Sequence, residues 1–187
     1  MVNSIVLASS SPRRKQLLEW AEIPFEIIVK SVDETFPAGL KSTDAAIHIA
    51  LKKANAVQNQ IGSDRVILAA DTVVVLNEKI IGKPAGKQEA IDTLTQLQGT
   101  THEVITGVAM LKGSKQVLFA DVTEVVFNPL TADQILFYVE KYQPYDKAGA
   151  YAIQEWIGVV GIQSIKGDFY NVMGLPVNRV VRALANI

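Results

Sequence analysis

The chain has 187 residues, 49% of them hydrophobic, a length and apolar share that predict a single packed domain over 1–187 with room for two lobes. Its 18 Lys and Arg against 19 Asp and Glu give a formal charge of −1, which excludes a global basic field able to hold a nucleic acid by counterion release. With no Cys, disulfides and thiolate metal sites are excluded, and the cytoplasm is the expected compartment.

Residues 1–8 are apolar but short and lack a basic start, so they read as a strand, neither a signal peptide nor a membrane span. Ser9, Ser10 and Ser11 then precede Pro12, and Pro at a first helical position after a Ser cap predicts a helix to about Ala21. Residues 25–29 read as a second strand. Ser42 is placed as the cap of a helix over 43–60, stopped near Gly62. Its apolar stripe is Ile47, Ala50, Ala54, Val57 and Ile61, with Lys53 at the margin and Lys52 opposite. Residues 66–76 are apolar and β-branched except at Asp71 and Thr72, and Asn77-Glu78 turn the chain into a short strand at 79–81.

A helix over 87–98 carries Ile91, Leu94 and Leu97 at helical spacing and ends before Gly99. Residues 103–111 and 115–127 read as a long hairpin. Thr131 with Gln134 makes a capping box for a helix reaching Tyr142, with Ile135, Tyr138, Val139 and Tyr142 on one side. Residues 143–158 read as irregular, 159–165 as a strand and 166–168 as a turn. Pro176 opens a last helix whose Val177, Val180, Val181 and Leu184 are expected to face inward. Alternation followed by a hairpin predicts an α/β (α+β mixed) fold, a mixed twisted sheet flanked by helices.

The sharpest local feature is Ser9-Ser10-Ser11-Pro12-Arg13-Arg14 between a strand and a helix. Helix N–H groups, hydroxyl donors and two guanidinium forks converge there, a combination that suits a polyanion. Two arginines in a first turn oppose the helix dipole, which favours a compensating phosphate over the alternative in which Ser11 caps the helix and both arginines are solvated. Lys53 would reach inward or lie along the helix surface. Lys83, between Gly82 and Pro84, and Lys147, between Asp146 and Ala148, sit in loops of restricted shape, where ligand contacts concentrate and where solvated lysines are also common.

Asp71 interrupts an apolar run in which a lone carboxylate is costly to bury, so it is the leading catalytic candidate, with a strand-end or bulge role as the alternative. Glu34, preceded by Asp33, begins a loop and is a candidate magnesium ligand or part of a solvated acidic loop. Hard oxygen donors suit magnesium or manganese. His48 and His102 lack zinc spacing and read as surface or satisfied histidines. No Gly-x-x-x-x-Gly-Lys loop and no Gly-x-Gly-x-x-Gly occurs, which argues against a P-loop engine or a Rossmann dehydrogenase.

Several blocks in order resemble the Maf family, specifically its dTTP/UTP pyrophosphatase branch: Leu-Ala-Ser-Ser-Ser-Pro-Arg-Arg at 7–14, Val32-Asp33-Glu34, Lys53-Ala54, Ala70-Asp71-Thr72, Gly82-Lys83-Pro84 and Thr101-His102-Glu103-Val104. Asp146-Lys147-Ala148-Gly149-Ala150-Tyr151 with Gln154, and Gly174-Leu175-Pro176, complete the match from Ile5 to Leu184. The resemblance implies an inosine-triphosphatase-like fold with a cleft between two lobes. It also implies magnesium- or manganese-dependent cleavage of nucleoside triphosphates, dTTP and UTP, to monophosphate and pyrophosphate. It assigns Asp71 as general base, Arg13, Thr72 and Gln154 to base specificity, and Ser9, Arg13, Arg14, Lys53, Lys83 and Lys147 to phosphate. Glu34 and Asp71 fall to the metal, although tight metal binding would lower the basicity of Asp71, so its two roles compete.

The amide of Gln154 offers the donor and acceptor that complement N3–H and a carbonyl of uracil or thymine, provided a second group fixes its orientation. The chain departs from the family pattern at Ala152, where Gly is usual, and at Glu155 and Trp156, where Gly is often found. A homodimer follows by analogy alone, and neither nucleic acid nor membrane is an expected partner. Two other readings stand beside the enzyme: a non-catalytic nucleotide sensor acting in septum formation, and the same fold acting on 7-methyl-GTP or ITP.

Overall fold

The computed structural model describes residues 4–187; residues 1–3 of the expected opening strand lie outside the described residues. Among the described residues seven strands form one sheet in the order β2-β1-β3-β5-β6-β7, with β4 paired to β3. They are β1 (Ile5–Leu7), β2 (Phe25–Ile27), β3 (Ile67–Leu76), β4 (Lys79–Ile81), β5 (Thr101–Lys112), β6 (Lys115–Phe127) and β7 (Ile162–Lys166). The helices are α1 (Pro12–Trp20), α2 (Ser42–Ile61), α3 (Lys87–Leu97), α4 (Ala132–Tyr142), α5 (Trp156–Gly161), α6 (Phe169–Met173) and α7 (Val177–Leu184). Parallel pairing of β1 with β2 and β3, and antiparallel pairing of β3 with β4 and β6 with β7, make the sheet mixed as expected. Among the described residues no helix is long and apolar enough to cross a membrane.

The chain folds as two compact units, and β3, β5 and β6 each contribute residues to both. One unit comprises Met1–Thr72, Thr106–Asp121 and Gly174–Ile187. Within it α2 buries Ala50, Ala54 and Val57 against Val6, Ala8, Ile67, Ala69, Ala109 and Leu111. The helix lies so close to β5 that a Cβ on Gly107 would stand 2.3 Å from the Ala46 carbonyl carbon and the Ile47 nitrogen. That approach turns Ala45, Ala46 and Ile49 inward and leaves Ile47 and Ile61 half-buried, a rotation of the expected stripe. Ser42 is the first helical residue and not the cap; Lys41 holds that position without a side-chain bond. On α7, Val180 and Leu184 form the buried i, i+4 pair, whereas Val181 is 46% exposed. An eight-residue helix packing on one side needs no wider stripe, and Val181 points roughly 100° away from Val180.

The other unit comprises Val73–Ile105 and Val122–Met173. β4 folds back on β3 with Val74 opposite Ile81, through Asn77 and Glu78, both at positive φ. The Thr131–Gln134 capping box is formed in full ahead of α4. Residues 156–161 are helical where irregular chain and the start of a strand were expected. In α5 the Gly158 and Val159 amides bond back to the Glu155 carbonyl, and Asn128 N–H bonds to the Gly161 carbonyl, so the strand begins only at Ile162. α6 also occupies a stretch for which no helix was expected.

Candidate functional site

In the first unit, β1 delivers Ser9 and the start of α1 delivers Arg13 and Arg14. Ser11 stands at the N-cap position without a side-chain cap bond, and its own N–H donates to Ser9 Oγ at 3.3 Å, so the capping alternative does not describe its hydroxyl. Arg14 is 9% exposed and its fork is held from three directions. Nη1 donates to Ser9 Oγ at 3.0 Å, Nη2 to Thr72 Oγ1 at 3.0 Å, and Nε to the Gly174 carbonyl at 2.8 Å. Burial lowers its pKa, Asp71 and Glu34 oppose that by attraction, and Arg13 adds to it by repulsion. A guanidinium stays charged at any physiological pH, so the strain is relieved by anions and not by proton loss. The solvated alternative therefore fails for Arg14. Thr72 Oγ1 is further paired with Thr106 Oγ1 at 2.9 Å.

Asp71 lies inside β3, not at its end, and Lys53 reaches it from α2: Nζ donates to Asp71 Oδ1 at 2.7 Å. The same nitrogen stands 2.9 Å from Glu34 Oε1. Lys53 thus points inward from the helix margin and draws two carboxylates to one place. Asp33 faces elsewhere, accepting from the Thr35 amide and hydroxyl, which hold its carboxyl below the usual range. Asp71, Arg13 and Glu34 all act electrostatically on Arg14, and Lys53 joins the two carboxylates, so cations and carboxylates of this unit lie close together.

In the second unit Lys83 and Gln154 are exposed, and Gly149 N–H bonds to the Gly82 carbonyl at 3.1 Å, tying the loops of Lys83 and Lys147 together. Lys147 is 8% exposed, with Nζ 2.8 Å from Asp146 Oδ1 and 3.5 Å from Glu155 Oε1. Glu155 also accepts from the Tyr138 hydroxyl. His102 is neither a surface histidine nor a satisfied one. It is buried, Nε2 meets Tyr151 Oη at 2.7 Å, Nδ1 has no hydrogen-bond partner among the described residues, and burial lowers its pKa to about 4.

A model of the Maf-like protein family matches residues 4–187. The chain belongs to the Maf family. This Maf chain is 49% identical over 180 residues to a dTTP/UTP pyrophosphatase of Cytophaga hutchinsonii, covering 96% of this chain and 82% of that protein. It is 45% identical over 184 residues to one of Bacteroides fragilis, and 48% over 183 residues to one of Bacillus cereus, each covering 98% of this chain and 95% of the relative. A HAM1 protein from Coxiella burnetii superposes with a TM-score of 0.54 at 17% identity, covering 98% of this chain and 99% of that one, a likeness of fold alone.

Three partners in the Maf chain escape a reading by residue type: Thr106, the Gly174 carbonyl and Glu155. A Thr in an apolar strand and a backbone carbonyl carry no sequence signal. Glu155 does, because a carboxylate flanked by Tyr151-Ala152-Ile153 and Trp156-Ile157 has apolar neighbours on both sides of the Gln154-Glu155 pair. The donor set of the first unit fits a hard cation: two carboxylates converge on one nitrogen. No group of three His, Cys, Asp or Glu poised for a metal occurs among the described residues, and magnesium commonly takes one or two carboxylates with water and substrate oxygens.

Proposed function

We propose that this Maf chain cleaves dTTP and UTP between the α and β phosphates, releasing monophosphate and pyrophosphate. The substrate assignment rests on the name borne by relatives 45–49% identical over nearly the whole chain. The chemistry rests on one observation, the Lys53 ammonium shared by Asp71 and Glu34. Residues 1–187 are read as one domain because three strands thread both units. A cytoplasmic setting and a homodimer stay part of the proposal on resemblance alone.

Asp71 accepts the proton of the attacking water; the water oxygen bonds to the α phosphorus and the bond to the bridging oxygen breaks in line with it. Glu34 and Asp71 would hold a magnesium or manganese ion, which would supply Lewis acidity toward water and phosphate. Lys53, its ammonium already at the carboxylates, offsets charge on the departing pyrophosphate, with Arg13 and Ser9. Arg14 spends three of its five N–H donors on Ser9, Thr72 and Gly174, so its share in phosphate binding falls to the remaining two. Thr72 accepts from Arg14. If Thr106 donates to it, the Thr72 proton is left for a base carbonyl, a recognition that the family resemblance assigns to Thr72 together with Arg13 and Gln154. Lys83, Lys147 and Gln154 belong to the second unit, and their assignment to the same nucleotide rests on the family resemblance.

Pyrophosphate release by the purified protein with magnesium or manganese, across dTTP, UTP, CTP, the purine triphosphates and 7-methyl-GTP, tests the reading. Fast release from dTTP and UTP with little from the rest supports it. Binding of nucleotides without release would replace it with the sensing role.

A further inference from the structure

We propose that Glu155 is a positioning residue that fixes the Lys147 ammonium through a tether to Tyr138. The inference rests on the reading of Lys147 as a phosphate contact. Lys147 is almost wholly buried, and a buried ammonium is costly unless paired. It has two carboxylate partners of unequal quality. Asp146 is its chain neighbour, on the same loop, with a side chain 61% exposed. Glu155 is more enclosed and comes from a different segment, at the N-cap position of α5.

Both Glu155 oxygens are engaged. Oε1 faces Lys147 at 3.5 Å, while Oε2 accepts from the Tyr138 hydroxyl. That hydroxyl in turn accepts from the Ala152 N–H at 3.2 Å, and the Tyr138 ring is fully buried on α4. Tyr138 is therefore a fixed post, Glu155 a strut, and Lys147 the loop cation it locates. An ammonium has three donors and Asp146 takes one at hydrogen-bond distance, so the tethered group still presents donors to a phosphoryl oxygen. Glu155 stands where the resembled family often carries Gly.

The test is a double-mutant cycle on dTTP hydrolysis with Glu155→Ala, Lys147→Ala and the pair, alongside Tyr138→Phe. Glu155→Ala is expected to raise KM about tenfold with kcat within about twofold of the parent, since a displaced cation weakens binding of phosphates away from the reacting centre. Tyr138→Phe, which keeps the buried ring and removes only the post, is expected to raise KM in the same direction by a smaller factor. In the Lys147→Ala background Glu155→Ala should add nothing. An unchanged KM in both Glu155→Ala and Tyr138→Phe overturns the proposal, and so does an equal rise from Glu155→Ala in the Lys147→Ala background. A Lys147→Ala single variant with parental KM removes the phosphate assignment itself and the strut with it, an outcome visible before Glu155 is touched. Should Glu155→Ala fail to fold, the Tyr138→Phe and Lys147→Ala cycle reads the same coupling.

Discussion

Lys53 Nζ donates to Asp71 Oδ1 across 2.7 Å while standing 2.9 Å from Glu34 Oε1, so one ammonium occupies the meeting point of the two carboxylates. Replacing it with the uncharged Lys53→Met leaves two like charges facing each other, an arrangement that draws a divalent cation more strongly. The expected outcome is a kcat lower by about 10²-fold, together with a lower magnesium concentration for half-maximal rate. A metal titration of variant and parent checks this, and an unshifted midpoint would detach Lys53 from the metal.

Asp71→Asn keeps the shape of the side chain and one acceptor oxygen for Lys53 but cannot take a proton. Binding of dTTP, followed by calorimetry, is expected to persist, while turnover falls about 10³-fold. Full turnover in that variant ends the general-base assignment.

Thr106 is buried and paired with Thr72, whose hydroxyl also receives Arg14. Thr106→Val preserves volume and removes the hydroxyl, at an expected cost of about 1–2 kcal/mol of stability. The ratio of UTP to CTP turnover should fall as well, because the Thr72 proton is no longer directed. Denaturant titration and paired kinetics measure the two effects; a stability loss with an unchanged ratio confines Thr106 to a structural role.

At Gly107 a methyl group would press into the backbone of α2 at Ala46 and Ile47, not against a movable side chain. Gly107→Ala is expected to cost about 3 kcal/mol or more, because helix and strand must separate. Urea unfolding reads this directly, and a variant of parental stability would show that the helix shifts at little cost.

His102 is held neutral by burial, with its pKa lowered to about 4 from the ordinary 6.5. Below pH 6.5 the unfolded chain binds the proton first, so native stability drains away as pH falls from about 6.5 to about 4 and levels off beneath that. The whole window is worth about 3 kcal/mol. His102→Gln, which cannot titrate, should flatten that part of the stability profile. An acid limb of equal slope in the variant would place the titration elsewhere.

Much of the fold was legible because its signals are periodic or chemical. The capping box of α4, the β3 to β4 turn and the long hairpin rest on residue types with one strong local preference. The errors of element type gather at 156–173, where α5 and α6 are only six and five residues long. In Trp156–Gly161 a β-branched pair, Val159-Val160, mimics a strand, and so short an apolar run has no period to betray it. At the candidate site, Asp71 and Lys53 were legible because a charge in an apolar run or at a stripe's margin must find a partner. Their being partners of each other was not, since β3 and α2 meet only in the folded chain.

The Nε–H of Arg14 is bonded to a carbonyl 160 residues further along the chain. At the usual rate of synthesis about 10–30 s separate the appearance of the two groups. Through that interval the guanidinium has no Gly174 to bind, and the unit that contains Arg14 lacks its Gly174–Ile187 segment. Nascent chains stalled before Gly174 should therefore hold this unit unfinished and open to chaperones. Its maturation is then expected to follow translation of Gly174–Ile187 and not the early emergence of Ser9 to Arg14.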